Sequence, residues 1–470
     1  MRVPSYIFRE YDIRGVADRD LADDTVQAIG RTLGGMLKGR DGKPPRLALG
    51  RDCRLSSPRL HAAILEGLLR AGAHVVDVGV GPTPQLYFAV HHLDTDGGVM
   101  ITGSHNPADE NGFKVMRGKG SFFGKDIQDL LGRIEAGTFT DSGAEAVRGK
   151  VEPTDVATAY VDLLSKSVKV DPAIKFVVDA GNGVGGPTAL AAMRGLGLRP
   201  DPLFCDMDGR FPNHHPDPTV PKNLDALVAR VRETRARVGI AYDGDADRLG
   251  AVDASGDIVW GDRLMILFSR GVLAASPGAA VLGEVKCSQT LYDDIARHGG
   301  RPIMWKTGHS LIKTKMKEEH ALLAGEMSGH LFFADRYFGY DDAIYASLRL
   351  LELLSGDRRS IGEMLSDVPR TFTTPEIRVE CPEAVKFEVV KRVTEHYLAL
   401  GSSVAVIDGA RIQFGKKGAA AGVPAWGLVR ASNTGPVLVM RFEAGSPEER
   451  DAIRAEVEAV VERVKLTAAL

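Results

Sequence analysis

One pattern recurs in this chain and restricts its fold more than any other feature. It consists of an apolar strand, a small or polar loop, an amphipathic helix, a glycine and a second apolar strand. The pattern occurs in RLALGRDCRLSSPRLHAAILEGLLRAGAHVVDVGV, in KFVVDAGNGVGGPTALAAMRGLGLRPDPLF and in AAVLGEVKCSQTLYDDIARHGGRPIMWK. The strands are almost continuously apolar, as parallel strands covered on both faces require, and each segment reads as a βαβ unit. Pro58 and Pro187 stand where a helix begins, Gly72 and Gly299 where one stops. The units are widely spaced, which predicts three similar α/β domains with mixed sheets rather than a solenoid. After about Pro369 the pattern changes. Lys386 to Leu400 reads as a helix, VAVIDGARIQF and GLVRASNTGPVLVMRFEA as strands, and a charged helix begins at Pro447. A smaller α+β domain therefore closes the chain. The expected division is 1–150, 151–254, 255–370 and 371–470.

Length supports several domains, since 470 residues exceed what one hydrophobic core sustains. A net charge of -3 argues against a nucleic-acid partner, so basic residues that meet an anion must be gathered locally. Cys53, Cys205, Cys287 and Cys381 are far apart and form no CxxC pair. That argues against a zinc knuckle or a disulfide scaffold and fits a reducing compartment. MRVPSYIFREYDIRG has no apolar core for a signal peptide, and no segment is long enough to span a bilayer. A cytoplasmic protein without a membrane partner is expected.

Gly181, Gly183 and Gly186 match GxGxxG after a strand and before a helix. This is the dinucleotide fingerprint on paper. The same strand–loop–helix layout recurs elsewhere in the chain without the glycines, so they are read as a tight turn.

Two loops carry chemistry. In AYDGDADRLG, Asp243, Asp245 and Asp247 alternate with Gly244 and Ala246, and Arg248 follows. In an extended segment alternate side chains share one side, which would bring the carboxylates together. VGIAY just before them reads as a buried strand that delivers the loop at its carboxyl end. Hard oxygen ligands without His or Cys suit Mg2+ better than zinc. An EF-hand needs Gly and Glu where Arg248 and Ala254 stand, and a solvated polar turn would need no such cluster. The second loop, VMITGSHNPADENGFKV, places Ser104 beside His105. Adjacent side chains usually diverge, so the two are expected to make a poor hydrolase-type nucleophile–base pair. Alone the loop reads as a polar turn; beside a metal cluster, a serine oxygen can hold a phosphate.

GSHNP at 103–107, DGDADR at 243–248, GEMSGH at 325–330 and RASNT at 430–434 follow one another, one in each expected domain. Together with FREYDIRG at 8–15 and KTGHSLIK at 306–313, they resemble the α-D-phosphohexomutases, and within them the bacterial phosphomannomutase/phosphoglucomutase branch. The resemblance implies a Mg2+-dependent cytoplasmic enzyme of carbohydrate metabolism, with four domains around a central cleft. It would interconvert hexose 1-phosphate and hexose 6-phosphate through a phosphoserine and a glucose or mannose 1,6-bisphosphate, without an obligate protein partner. Ser104 would carry the phosphate and, with Asp243, Asp245 and Asp247, hold Mg2+, and Arg248 would lie beside the transferring group. Lys114 is the first choice for general base, its pKa expected to be lowered by burial beside other cations. His309 and His105 are further candidates for proton transfer, and Tyr11, Arg14, Lys286 and Arg263 for the reaction centre. Glu326 and Ser328, with His330, would bind sugar hydroxyls. Arg430, Ser432, Asn433 and Thr434 would grip the phosphate that is not being transferred. The glucosamine branch more typically has Gln where Met327 stands, so weak use of glucosamine phosphates is expected. A seryl phosphatase and a silent sugar-phosphate sensor are the competing classes.

Overall fold

The computed structural model describes residues 3–139, 148–414, 423, 425–433 and 435–468. All three βαβ units form. Arg46–Arg51 and His74–Val80 pair in parallel across helix Ser57–Arg70. Phe176–Asp179 and Asp201–Leu203 do so across Gly185–Gly195, and Ala280–Glu284 and Arg301–Trp305 across Gln289–Arg297. Gly72 (φ 82°) and Gly299 (φ 76°) follow their helices in the left-handed conformation that glycine adopts at least cost. Ser288 caps the third helix by accepting the Thr290 N–H.

The chain forms two compact units. The first comprises residues up to Leu264 together with Ser328–Gly362, and the second Met265–Met327 with the segment from Glu363 onwards.

In the first unit, one mixed sheet runs in the order Ile13–Val16, Glu110–Arg117, Gly97–Ile101, Arg46–Arg51, His74–Val80, Val151–Pro153. A second runs Ile258–Val259, Leu249–Asp253, Val238–Tyr242, Phe176–Asp179, Asp201–Leu203. Each contains an antiparallel pair whose connection bears a chemical loop. Gly97–Ile101 and Glu110–Arg117 flank GSHNP, and Val238–Tyr242 and Leu249–Asp253 flank DGDADR. The strands ahead of both loops, GGVMI and VGIAY, are buried throughout, so each loop leaves a rigid strand end.

In the second unit, Ala280–Glu284 lies between Arg301–Trp305 and Leu323–Gly325, all parallel. An antiparallel sheet runs Phe372–Thr373, Val437–Ala444, Ala425–Ala431, Ala410–Phe414, Val404–Ala405, with Ile377–Glu380 also on Val437–Ala444. Helices Lys386–Ala399 and Pro447–Ala468 cover it, burying Val389, Val393, Tyr397, Val457 and Val461 against Val429, Met440 and Phe442. Four sheets thus make four α/β domains, the last predominantly antiparallel. Among the described residues no helix is long and apolar enough to cross a membrane. The four cysteines are free thiols.

Candidate active site

In the first unit the three aspartates meet, though not as an extended segment would bring them together. Residues 243–248 form a turn in which Ala246 is left-handed (φ 59°) and its N–H donates to Asp243 O. Asp243 Oδ1 accepts the backbone N–H groups of Asp247 and Arg248, both at 3.1 Å. The turn, rather than strand alternation, wraps the carboxylates into one cluster with oxygens within 4.8 Å of one another, all fully buried.

The glycine-rich turn after Asp179 explains how this loop is supported. Val184 N–H donates to Gly244 O at 3.0 Å, and a Cβ on Gly183 would stand 2.8 Å from that same oxygen. Helix Gly185–Gly195 therefore comes right up to the aspartate turn, which is why GNGVGG imitates a dinucleotide fingerprint.

Ser104 is buried and left-handed, with φ 48°. Its Oγ donates to Asp243 Oδ2 at 2.9 Å and lies 3.1 Å from His105 Nδ1. The expectation that Ser104 and His105 diverge is thus wrong, because the left-handed residue folds the two side chains onto one side. Burial, with Arg248, Arg14 and Lys114 nearby, pushes the His105 imidazolium well below its usual pKa.

Lys114 corrects a second expectation. Its neighbours are chiefly carboxylates: Nζ donates to Asp245 Oδ2 at 2.7 Å and to Asp247 Oδ2 at 2.5 Å. Burial opposes the charge, but the three aspartates outweigh it and raise the Lys114 pKa. Burial opposes ionisation of Asp245 too, yet Lys114 and the Thr83 hydroxyl, 2.5 Å away, lower its pKa. Asp243 is raised instead, by burial and by its two acidic neighbours.

Residues that bear no recognisable motif hold the serine loop. Arg54 is buried and donates to the carbonyls of Ser104 (2.7 Å), Asn106 (2.6 Å), Glu110 (3.0 Å) and Pro107. A charge-assisted bond of this kind contributes roughly 1.5–3 kcal/mol, so Arg54 clamps the loop around Ser104. Asp52 steadies that clamp by accepting from Arg54 N, Ser57 Oγ and Gly103 N. Arg14 also serves the loop, donating to Asn106 Oδ1 at 2.7 Å and to Asp12 at 2.5 Å. Arg248 Nε donates to His330 Nε2 at 2.9 Å, which ties His330 to the aspartate turn. Tyr11, Arg263 and Ser328 are half-buried in this unit.

The second unit gathers a different polar group. Lys286 Nζ lies 3.1 Å from Glu376 and 3.5 Å from Glu284. Burial lowers its pKa, but Glu284, Glu376 and Glu326 outweigh this and raise it, while Lys286 draws Glu376 down to about 2. Glu326 Oε1 accepts Gly308 N–H at 2.7 Å, just ahead of His309 at the start of helix His309–Glu318. Asp408 Oδ2 accepts from Thr307 N and Arg430 Nε, both at 3.0 Å. The Ser432 carbonyl accepts the buried Lys386 Nζ at 2.5 Å, which fixes the turn that holds Ser432 and Asn433. Thr434 lies outside the described residues. Glu376, Asp408 and Lys386 carried no sequence signal, since each acts through a partner distant in the chain, and Glu284, besides Lys286, accepts the Met327 N–H at 3.2 Å from 43 residues away.

The chain matches the domains of phosphoglucomutase/phosphomannomutase in order. Alpha/beta/alpha domain I covers residues 5–141, domain II 158–256, domain III 260–372 and the C-terminal domain 376–460. It is 45% identical to a phosphomannomutase/phosphoglucomutase of Pseudomonas aeruginosa over 96% of this chain and 94% of that protein. It is 44% identical to a phosphoglucomutase of Neisseria gonorrhoeae over 97% of this chain and 96% of that protein. A crystal structure of a phosphoglucomutase/phosphomannomutase family protein from Burkholderia thailandensis superposes with a TM-score of 0.89 at 40% identity, covering 99% of this chain and 98% of that one. A buried serine bonded to an aspartate cluster, four sheets in this order and full-length similarity converge: the chain belongs to the phosphoglucomutase/phosphomannomutase family of the α-D-phosphohexomutases and is a reversible hexose-phosphate mutase.

Proposed function

We propose that Ser104 carries the phosphoryl group, that Asp243, Asp245 and Asp247 hold Mg2+ with it, and that mannose and glucose phosphates are both substrates through a 1,6-bisphosphate. The observation that carries this reading is the 2.9 Å bond from buried Ser104 to a cluster of three buried aspartates. The donor set fits the ion: Asp245 Oδ1 and Asp247 Oδ1 are buried oxygens without a hydrogen-bond partner among the described residues. A hard divalent cation satisfies such atoms. Bound there, Mg2+ supplies positive charge against the phosphate ester and the carboxylates.

In the forward step the Ser104 Oγ–phosphorus bond breaks as a sugar oxygen bonds to phosphorus. The sugar hydroxyl proton ends on Ser104 Oγ, relayed by His105 Nδ1, which lies 3.1 Å from it. Lys114 acts as a fixed ammonium that balances charge. The bisphosphate turns over, and its other phosphate returns to Ser104 by the reverse transfer. Arg248 stabilises the transferring group, which must be strong because phosphate-monoester chemistry needs accelerations of up to ~10²¹. Glu326 and Ser328 bind the 3- and 4-hydroxyls that glucose and mannose share, and Arg430, Ser432, Asn433 and Thr434 bind the phosphate that is not transferred.

The test compares kcat/KM on glucose, mannose and glucosamine 1-phosphates, each primed with its bisphosphate, scoring 6-phosphate and free phosphate. Glucose and mannose should react comparably and at least about tenfold better than glucosamine, because the Met327 thioether gives an amino group little to bond. Glucosamine phosphate as best substrate would overturn the sugar assignment, and free phosphate as main product would overturn the transfer to sugar.

A further inference from the structure

Asp245 is held at two points by a single residue 162 positions earlier in the chain. Thr83 N–H donates to Asp245 O at 2.9 Å, and the Thr83 hydroxyl donates to Asp245 Oδ2 at 2.5 Å. Lys114 Nζ donates to the same Oδ2 at 2.7 Å. Asp245 Oδ1 stays buried with no hydrogen-bond partner among the described residues. The neighbouring carboxylates divide their oxygens in a similar way. Asp247 gives Oδ2 to Lys114 and keeps Oδ1 without a partner. Asp243 gives Oδ1 to two backbone N–H groups and Oδ2 to Ser104. The last torsion of an aspartate is broad and nearly two-fold, so the side chain itself does not decide which oxygen faces which way. Its partners decide.

Thr83 can decide at Asp245 because its own position is rigid. It is fully buried and opens helix Thr83–His92, with Pro82 and Pro84 fixing the backbone on either side. Gly81 N–H donates to Arg51 O at 3.1 Å, which ties the turn to the end of strand Arg46–Arg51. A Cβ on Gly81 would stand 2.3 Å from Gln85 Nε2, so this turn closes tightly over the start of the helix. Further along, Phe88 packs on Tyr160 and Tyr87 on Tyr340, with ring centroids 5.4 Å apart in each pair. Sliding the helix along the aspartate turn would break these contacts. The segment GPTP at 81–84 contains no ionisable side chain, and nothing in it signals a link to a metal.

We propose that Thr83 is a positioning residue for the cation: its hydroxyl, with the Lys114 ammonium, occupies Asp245 Oδ2 and leaves Oδ1 as the oxygen offered to Mg2+. This rests on the reading above that the three aspartates hold Mg2+. Without the hydroxyl, Oδ2 keeps only Lys114, which is shared with Asp247, and the carboxylate is free to turn. Partners one bond removed from a metal typically change its affinity by roughly 10–100-fold when lost.

The test compares Thr83→Val, which replaces the hydroxyl with a methyl, and Thr83→Ser, which keeps the hydroxyl. Mn2+, a divalent ion suited to the same oxygen ligands, is titrated into full-length protein of matched Ser104 phosphate content, and free ion is read by electron paramagnetic resonance. Thr83→Val should raise the Mn2+ Kd about 10–100-fold, and Thr83→Ser should leave it within about threefold of the unaltered protein. In an Asp245→Asn background, Thr83→Val should cost less than about threefold more, because its target is gone. An unchanged Kd in Thr83→Val, an equal loss in Thr83→Ser, or the full cost in the Asp245→Asn background would each overturn the inference. Should Thr83→Val not fold, Thr83→Ala removes the same hydroxyl without added bulk and carries the same expectations. Unaltered protein that binds no Mn2+ sinks the metal reading and this inference together. Mn2+ binding that is indifferent to the Thr83 hydroxyl sinks the inference alone.

Discussion

Ser104→Ala is expected to fold normally and to lose at least about 10³-fold in kcat on mannose and glucose 1-phosphates. The substitution removes only Oγ, which donates to Asp243 and faces His105. Asp243 keeps its two backbone partners, so the aspartate turn has no reason to open. The Arg54 clamp acts on loop carbonyls, which alanine retains. Stability should therefore change by about 1 kcal/mol, the worth of one hydrogen bond. Steady-state kinetics and a thermal melt check both parts. A variant with native melting and more than a tenth of normal turnover would remove Ser104 from the transfer.

Asp245→Asn should be nearly as damaging by a different route. Asparagine keeps the shape, but it replaces a charge that interacts with Lys114 and Thr83 and one of the oxygens offered to the cation. The Mg2+ concentration for half-activation should rise by at least about tenfold, and kcat at saturating Mg2+ should fall by about 10²-fold or more. In the unaltered protein, excess chelator should abolish turnover and added Mg2+ restore it. Full activity in excess chelator contradicts the metal assignment.

The parts legible in the sequence are those whose cause is local. Each βαβ unit could be read because its strand, helix and stop glycine are contiguous, and the aspartates because they lie in one turn. Their convergence was expected for the wrong reason, since a left-handed Ala246 cannot be read from an alternating pattern. The same holds at Ser104, where φ 48° turns its side chain towards His105. Lys114 was visible as a candidate, but the direction of its pKa depends on carboxylates about 130 residues away, at separations of 131 and 133. Arg54, Asp52, Glu284 and Asp408 were not legible at all. They act on backbone groups or on other side chains, and an isolated charged residue in a sequence looks like a solvated surface group.

The claim on which all of this depends is that phosphate resides on Ser104. Purified protein incubated with glucose 1,6-bisphosphate, quenched and digested, should give the peptide containing GSHNP with one added phosphoryl group on Ser104. Mannose 6-phosphate added without bisphosphate should then remove that group and yield mannose 1,6-bisphosphate. Stable phosphate only at other residues, or turnover with Ser104 never modified, would contradict the account.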